Sequence, residues 1–404
     1  MLVCFSKWRL AIFSLSLVAG LVLGDREPAI AEEPTVNSTP KQLIADLGAA
    51  QYEVRERAES QILTRGEEML PELRQASLSP DPEVRMRAGT LLKRLTATLR
   101  LESFQRFLKN DPDVSLPGWD RFREQHGDTQ DVRKLYVKML EQEWDLIVTL
   151  ETDPRMVDYL FYQRATRLRQ RLYGTSQEPI RLGSAAAMLH AASLEDVPIN
   201  PPSMEQIKFL LAAPDLSMSL QDIGSAPPVL SVFDHWLQTN LKIDRFSSEM
   251  RFVVLATCLR ENIKSGVTIA KRLLEDRTVP LSFRGTGQHS PVNLDQQMIY
   301  ALLAIAKLGS KEDINYVEMY FQDDSRLSNY LTPGDPFETQ LRDVALVAAI
   351  HLSGENPKDF GFSRIMGDPN VLYNLRSIGF STPVQRDAAF EKWQSAEYAK
   401  LTPK

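Results

Sequence analysis

Between Gln42 and Leu95, apolar residues recur every three or four positions, and the recurrence is written twice. Glu53-Val54-Arg55-Glu56-Arg57-Ala58 returns thirty residues later as Glu83-Val84-Arg85-Met86-Arg87-Ala88, and Ile62 and Leu92 keep the same register. Val54, Ala58 and Ile62 form one face of a helix predicted over about Tyr52 to Arg65 and stopped by Gly66. A short helix precedes it, with Ser38 or Thr39 as cap and Pro40 at its first position. A partner helix follows through Met69, Leu70 and Leu73, and Ser79-Pro80-Asp81-Pro82 introduces the second copy. No Gly or Pro interrupts that copy's helix between Gly89 and about Leu108.

Beyond Trp119 the pattern loosens but stays helical. Leu135, Met139, Leu140, Ile147 and Leu150 stripe a helix over Gln130 to about Leu150, and Pro154 opens another that reaches Tyr173-Gly174. The alanine-rich run Gln177 to Leu194 is a further helix, and residues 195 to 203, with three prolines, read as the clearest linker. Helices are then expected over Met204 to Ala212, Val229 to Thr239, Ser248 to Ile263 and Thr268 to Glu275, with a loop from Pro280 to Pro291. Ala301-Leu302-Leu303-Ala304-Ile305 matches Ala345-Leu346-Val347-Ala348-Ala349 at an offset of 44 residues. Ser310-Lys311-Glu312-Asp313 between them fits a capping box. A helix over about Pro383 to Tyr398, with Phe390 and Trp393 inward, closes the chain. Strand signals are close to absent, so the fold class is all-α.

The Pro-Glu-Val-Arg-x-Arg-Ala pattern at 82–88, with Leu-Pro-Glu-Leu at 70–73 between the copies, resembles HEAT-type repeats. The resemblance implies an α-solenoid of helix hairpins in which Val54, Ala58, Val84 and Ala88 are core positions. It also implies that Arg55 and Arg85 join a ladder of hydrogen bonds between neighbouring repeats. It extends loosely to residues 294–354, and the whole resembles secreted bacterial HEAT-type proteins without a known activity. The domains expected are a repeat pair at 42–110, an irregular helical middle at 111–197 and a C-terminal helical array at 203–404.

The N-terminus changes the picture of where the chain works. Lys7 and Arg9 precede an apolar run from Leu10 to Leu23, which is too short for a comfortable membrane span, and Ala29-Ile30-Ala31 fits a small-x-small cleavage site. Residues 1–31 therefore read as a cleaved export signal, with a membrane anchor as the alternative, and 32–41 as a flexible lead-in. Asn37-Ser38-Thr39 matches a glycosylation sequon, meaningful only in a eukaryotic secretory pathway. Net charge is −6, and loss of the signal's three cations and two acids makes it −7. That balance argues against a nucleic-acid partner, whose affinity rests on phosphate contacts. Cys4 leaves with the signal, so Cys258, in an apolar stretch, is alone and reads as a core residue.

Candidate chemistry is sparse. His126, His190, His235, His289 and His351 show no metal-ligand spacing, so no metal or other cofactor is expected. Arg284-Gly285-Thr286-Gly287 follows no strand and reads as a turn. Glu141 and Glu143 are expected on solvated surface, as is the pair Asp323-Asp324. Residues 155–174 hold Arg155, Arg164, Arg167, Arg169 and Arg171 against one acid, Asp158. Arg164, Arg167 and Arg171, with Tyr162 beside them, form a candidate docking patch; the competing expectation pairs these cations with acids at 141–143. The function expected from the resemblance is that of an exported, non-catalytic scaffold that binds a protein or envelope partner. Alternatives are an enzyme whose site is assembled within 119–274, using His190, His235, Glu141 or Glu143, and a self-associating envelope component.

Overall fold

A computed structural model of the protein describes residues 38–172, 174, 178–220, 226–243, 246–275, 294–327 and 336–395. The export signal, the lead-in as far as Asn37, the loop at 280–291 and its glycine pair, and His289 lie outside the described residues. The chain divides into two compact units, residues 1–99 and 100–404, and among the described residues both are predominantly helical.

The first unit holds α1 (Pro40–Asp46), α2 (Tyr52–Arg65), a 3-10 turn (Gly66–Met69), α3 (Leu70–Ala76) and the first part of α4 (Pro82–Leu108). Each helix has a physical start and stop. The Thr39 hydroxyl accepts the Gln42 N–H at 3.3 Å to cap α1, and Asp81 accepts the Glu83 N–H at 2.8 Å to cap α4. Gly66 ends α2 at φ 66°, a conformation that costs glycine nothing. The core is Leu43, Leu47, Ala58, Ile62, Met69, Leu73, Ala76, Val84, Ala88, Leu91 and Leu95. Ala58 and Ala88 are buried in register, but Val54, expected in the core, is only half-buried where Val84 is buried. The buried stripe of α4 then moves to Leu91 and Leu95 and leaves Leu92 half-buried.

The two arginines after the valines make the same contact in each copy. Arg55 Nη1 donates to the carbonyls of Ala49 (2.7 Å) and Ala50 (3.0 Å), and Arg85 Nη1 to those of Ser79 (2.6 Å) and Pro80 (3.3 Å). They thus fasten the loop that leads into their own helix. The strongest link between copies falls instead on Arg87, which binds Glu83 on its own helix (2.6 Å), Glu59 on α2, and Glu56 at 3.5 Å. Arg55 reaches across only to Glu83, at 3.8 Å. The positions of the second copy that correspond to Glu56 and Glu59 are Met86 and Gly89.

The second unit contains α5 (Trp119–His126), α6 (Gln130–Thr152), α7 (Val157–Leu172), α8 (Leu182–Ser193), α9 (Pro201–Met204), α10 (Ile207–Leu211), α11 (Pro214–Ser219) and α12 (Ala226–Lys242). It continues through α13 (Ser248–Glu261), α14 (Gly266–Glu275), α15 (Leu294–Leu308), α16 (Ile314–Glu318), α17 (Leu341–Ser353) and α18 (Pro383–Ser395). Every residue of α8 is buried and α17 is nearly so, as is the middle of α15 from Ala301 to Ala306, which is what helices apolar on all sides require. Around them, α8 packs on α6 and α12, and α15 on α13, α14 and α17. One continuous core runs from Phe104 to Trp393 and includes Cys258. The proline-rich stretch expected as a linker belongs to this core, since Val197 and Ile199 are buried and Asn200 is tied to Asp158 on α7. Described β structure is a two-stranded hairpin, β1 (Gly367–Asp368) with β2 (Leu372–Tyr373), and two isolated bridges. The expected capping box at Ser310–Asp313 is present, and a second one, Gln340 with Asp343, opens α17.

Candidate functional site

The arginine-rich helix α7 faces two ways. Arg164 turns inward: its Nε donates to Glu143 Oε1 and its Nη2 to Glu178 Oε1, both at 2.6 Å. Glu143 is buried, contrary to the solvated position expected for it, while Glu141 is exposed. The reason is local. Backbone angles of φ −134° and ψ 43° at Glu143 break α6 and redirect its side chain toward α7. The neighbouring Gln142 Oε1 accepts the Ser184 N–H at 2.9 Å and so satisfies a donor in the first turn of α8. A half-buried arginine held between two carboxylates is structural, so Arg164 is withdrawn from the docking patch. Arg169 is likewise occupied, stacked 4.2 Å over the Phe209 ring. The side chain of Arg171 lies outside the described residues.

The outward face keeps Arg167, which is exposed, and Tyr162, which is 46% exposed. Two further large side chains, Tyr159 at 55% and Met156 at 46%, join them, with exposed Arg155 at the foot of the helix. Asp158, the one acid of the stretch, accepts from the backbone N–H and the side-chain amide of Asn200 at 2.9 and 2.7 Å. The result is an aromatic stripe flanked by two guanidinium groups, with Asp158 engaged by Asn200.

A second cluster comes from residues far apart in sequence. His126 ends α5, His190 lies in the last turn of α8, and His235 sits in α12. Ring centroids are 6.2 Å apart for His126 and His190, and 5.4 Å for His126 and His235. Phe122 packs against both His126 (4.6 Å) and His190 (5.0 Å). His126 Nδ1 lies 3.4 Å from Ser231 Oγ, while His126 Nε2 and His190 Nδ1 are buried without a protein partner. Burial pushes His126 down to about 4 and His190 to about 3, each helped by the neighbouring imidazole, and it lowers His235 as well. No spacing rule connects positions 126, 190 and 235, so only the packing of α5 against α8 and α12 reveals the group.

Among the described residues, no three His, Cys, Asp or Glu side chains stand where they could hold a metal ion, and no helix is long and apolar enough to cross a membrane. The groups required by the catalytic alternative are divided. Glu143 is paired with Arg164, Glu141 is exposed, and the two histidines join His126. His351 meets Tyr373 Oη at 3.1 Å, far along the chain from that group. No family model matches the chain, and no curated protein or solved structure matches it significantly.

Proposed function

We propose that this protein is an exported α-solenoid that binds an acidic segment of a protein partner through the outward face of α7, and that it performs no catalysis itself. The observation that carries the reading is the stripe of Met156, Tyr159 and Tyr162 left exposed between Arg155 and Arg167. Tyrosine and arginine supply large contact area and forked donors, the combination that concentrates binding energy at interfaces. The solenoid part of the proposal rests on the repeated Val-Arg-x-Arg-Ala signature, on the matching arginine–loop contacts of the two copies, and on the succession of neighbouring helix packings in the second unit. Export rests on the pattern of residues 1–31.

The test is affinity capture of residues 32–404 from the envelope of the source cells, beside an Arg155→Glu/Arg167→Glu variant that melts like the parent. A stoichiometric acidic partner lost from the variant supports the reading. A partner that the variant retains, or capture of nothing, overturns it.

A further inference from the structure

The histidine group is placed where it can act on the fold. Helix α5 has only eight residues, and it is held through Trp119 and Phe122, with His126 closing its last turn against α8 and α12. Two of the three imidazoles present a buried nitrogen that no protein group satisfies. Each such atom is a standing cost of burial, and each is a place where a proton can be taken up only at the expense of the packing.

The surrounding charges do not relieve that tension. On α5 itself, Arg121 is paired with Asp196, and its field opposes a proton on His190. On α12, Lys242 opposes a proton on His235, and Asp234 alone favours one; its Oδ2 accepts from Gln238 at 2.7 Å and its Oδ1 is buried without a partner. From α6, Arg133 lies over the Phe107 and Trp119 rings and holds the Asp128 carboxylate, which is therefore engaged. The helix C-termini around His126 and His190 favour a cation, but burial outweighs them.

We propose that the contact of His126 with His190 and His235 is an acid-sensitive latch, which holds α5 on α8 and α12 while the imidazoles are neutral and releases it when they take up protons. Two cations within about 6 Å in a desolvated seam repel strongly. Hydration of α5 removes both charges from that seam at once, so the uptake is coupled to release of one short helix. Release exposes the apolar faces of Trp119, Phe122 and their neighbours in α8 and α12.

Hydrogen exchange of the α5 segment, corrected for intrinsic rates, tests this between pH 7.5 and 5.5 on the intact mature protein. An imidazole that titrates near its ordinary value once α5 is free, and far below it when docked, contributes about a tenfold rise in the opening constant over that range. Two such groups, His126 and His190, give about a hundredfold rise for the parent, and His126→Gln reduces it to about tenfold. His351→Gln, outside the group, leaves the parent response intact. Protection of α5 that does not change with pH overturns the proposal, as does a hundredfold rise that persists in His126→Gln. Opening of α5 only together with the whole second unit also overturns it.

Discussion

Gly183 offers the sharpest test of how the second unit is packed. It sits in the first turn of α8, where a Cβ would stand 2.3 Å from the Lys138 carbonyl oxygen, 2.6 Å from its carbon and 2.8 Å from Gln142 Oε1. Ordinary carbon–oxygen contacts begin near 3.3 Å, so α8 would have to withdraw from α6 by about 1 Å. Overpacking of a fixed interface costs about 1–3 kcal/mol, and loss of the Ser184–Gln142 hydrogen bond adds about 1 kcal/mol. Against this stands the gain of about 1 kcal/mol from replacing glycine by alanine in a helix. Gly183→Ala is therefore expected to destabilise the second unit by about 2 kcal/mol. Gly89, inside α4, has open space where its Cβ would go, so Gly89→Ala carries only the gain and should stabilise the first unit by about 1 kcal/mol. Urea titrations read the first substitution by tryptophan fluorescence, since every tryptophan among the described residues is in the second unit, and the second by circular dichroism. A Gly183→Ala protein as stable as the parent would refute the close approach of α8 to α6. Equal and opposite effects at the two glycines are not required; opposite signs are.

Arg386 donates to both carboxylate oxygens of fully buried Asp343, at 2.7 and 3.2 Å, so Arg386→Leu should cost about 3–5 kcal/mol by stranding a buried charge. Adding Asp343→Asn should recover most of it, because the amide still accepts the Gln340 N–H; a double variant as unstable as the single in urea refutes this. Ala58 and Ala88 are buried, and aspartate at either should cost about 3 kcal/mol or more, read as loss of helicity at lower temperature. A parent-like melt of either variant would mean that the repeat seam is misplaced. His126 titrates at about 4 when folded against 6.5 when unfolded, so the folded chain binds fewer protons. Stability is therefore intact above pH 6.5 and falls as pH drops toward 4, by about 2 kcal/mol at pH 5 from this side chain alone. His126→Gln should flatten the pH series by that amount, and an unchanged slope would contradict it.

Local signals were legible in the sequence where a single helix settles them. The start of α2 at Tyr52 and its stop at Gly66, the length of α4, and the capping box at Ser310 all follow from residues within a few positions of each other. What escaped depends on tertiary packing. Glu143 looks solvated on an ideal helix, but the break at that residue swings it inward to Arg164, and this removes one arginine from the expected patch. The prolines at 198–202 look like a linker, yet Val197 just before them and Ile199 among them are buried in the core. That Tyr159 and Met156 are exposed could not be read from the sequence, because exposure depends on what covers a helix. The three histidines share no period at all.

The contact made by Arg87 has a direction. Its guanidinium reads carboxylates on the preceding copy, and the copy it belongs to offers Met86 and Gly89 at the matching sites. A further helix carrying the same arginine would find no counter-charge at positions 86 and 89 of α4. Duplication of the first copy between the two would preserve every ion pair, whereas duplication after the second would leave a cation facing a thioether. The ion pair between the copies therefore runs one way, from an arginine of the second copy to carboxylates that only the first copy carries.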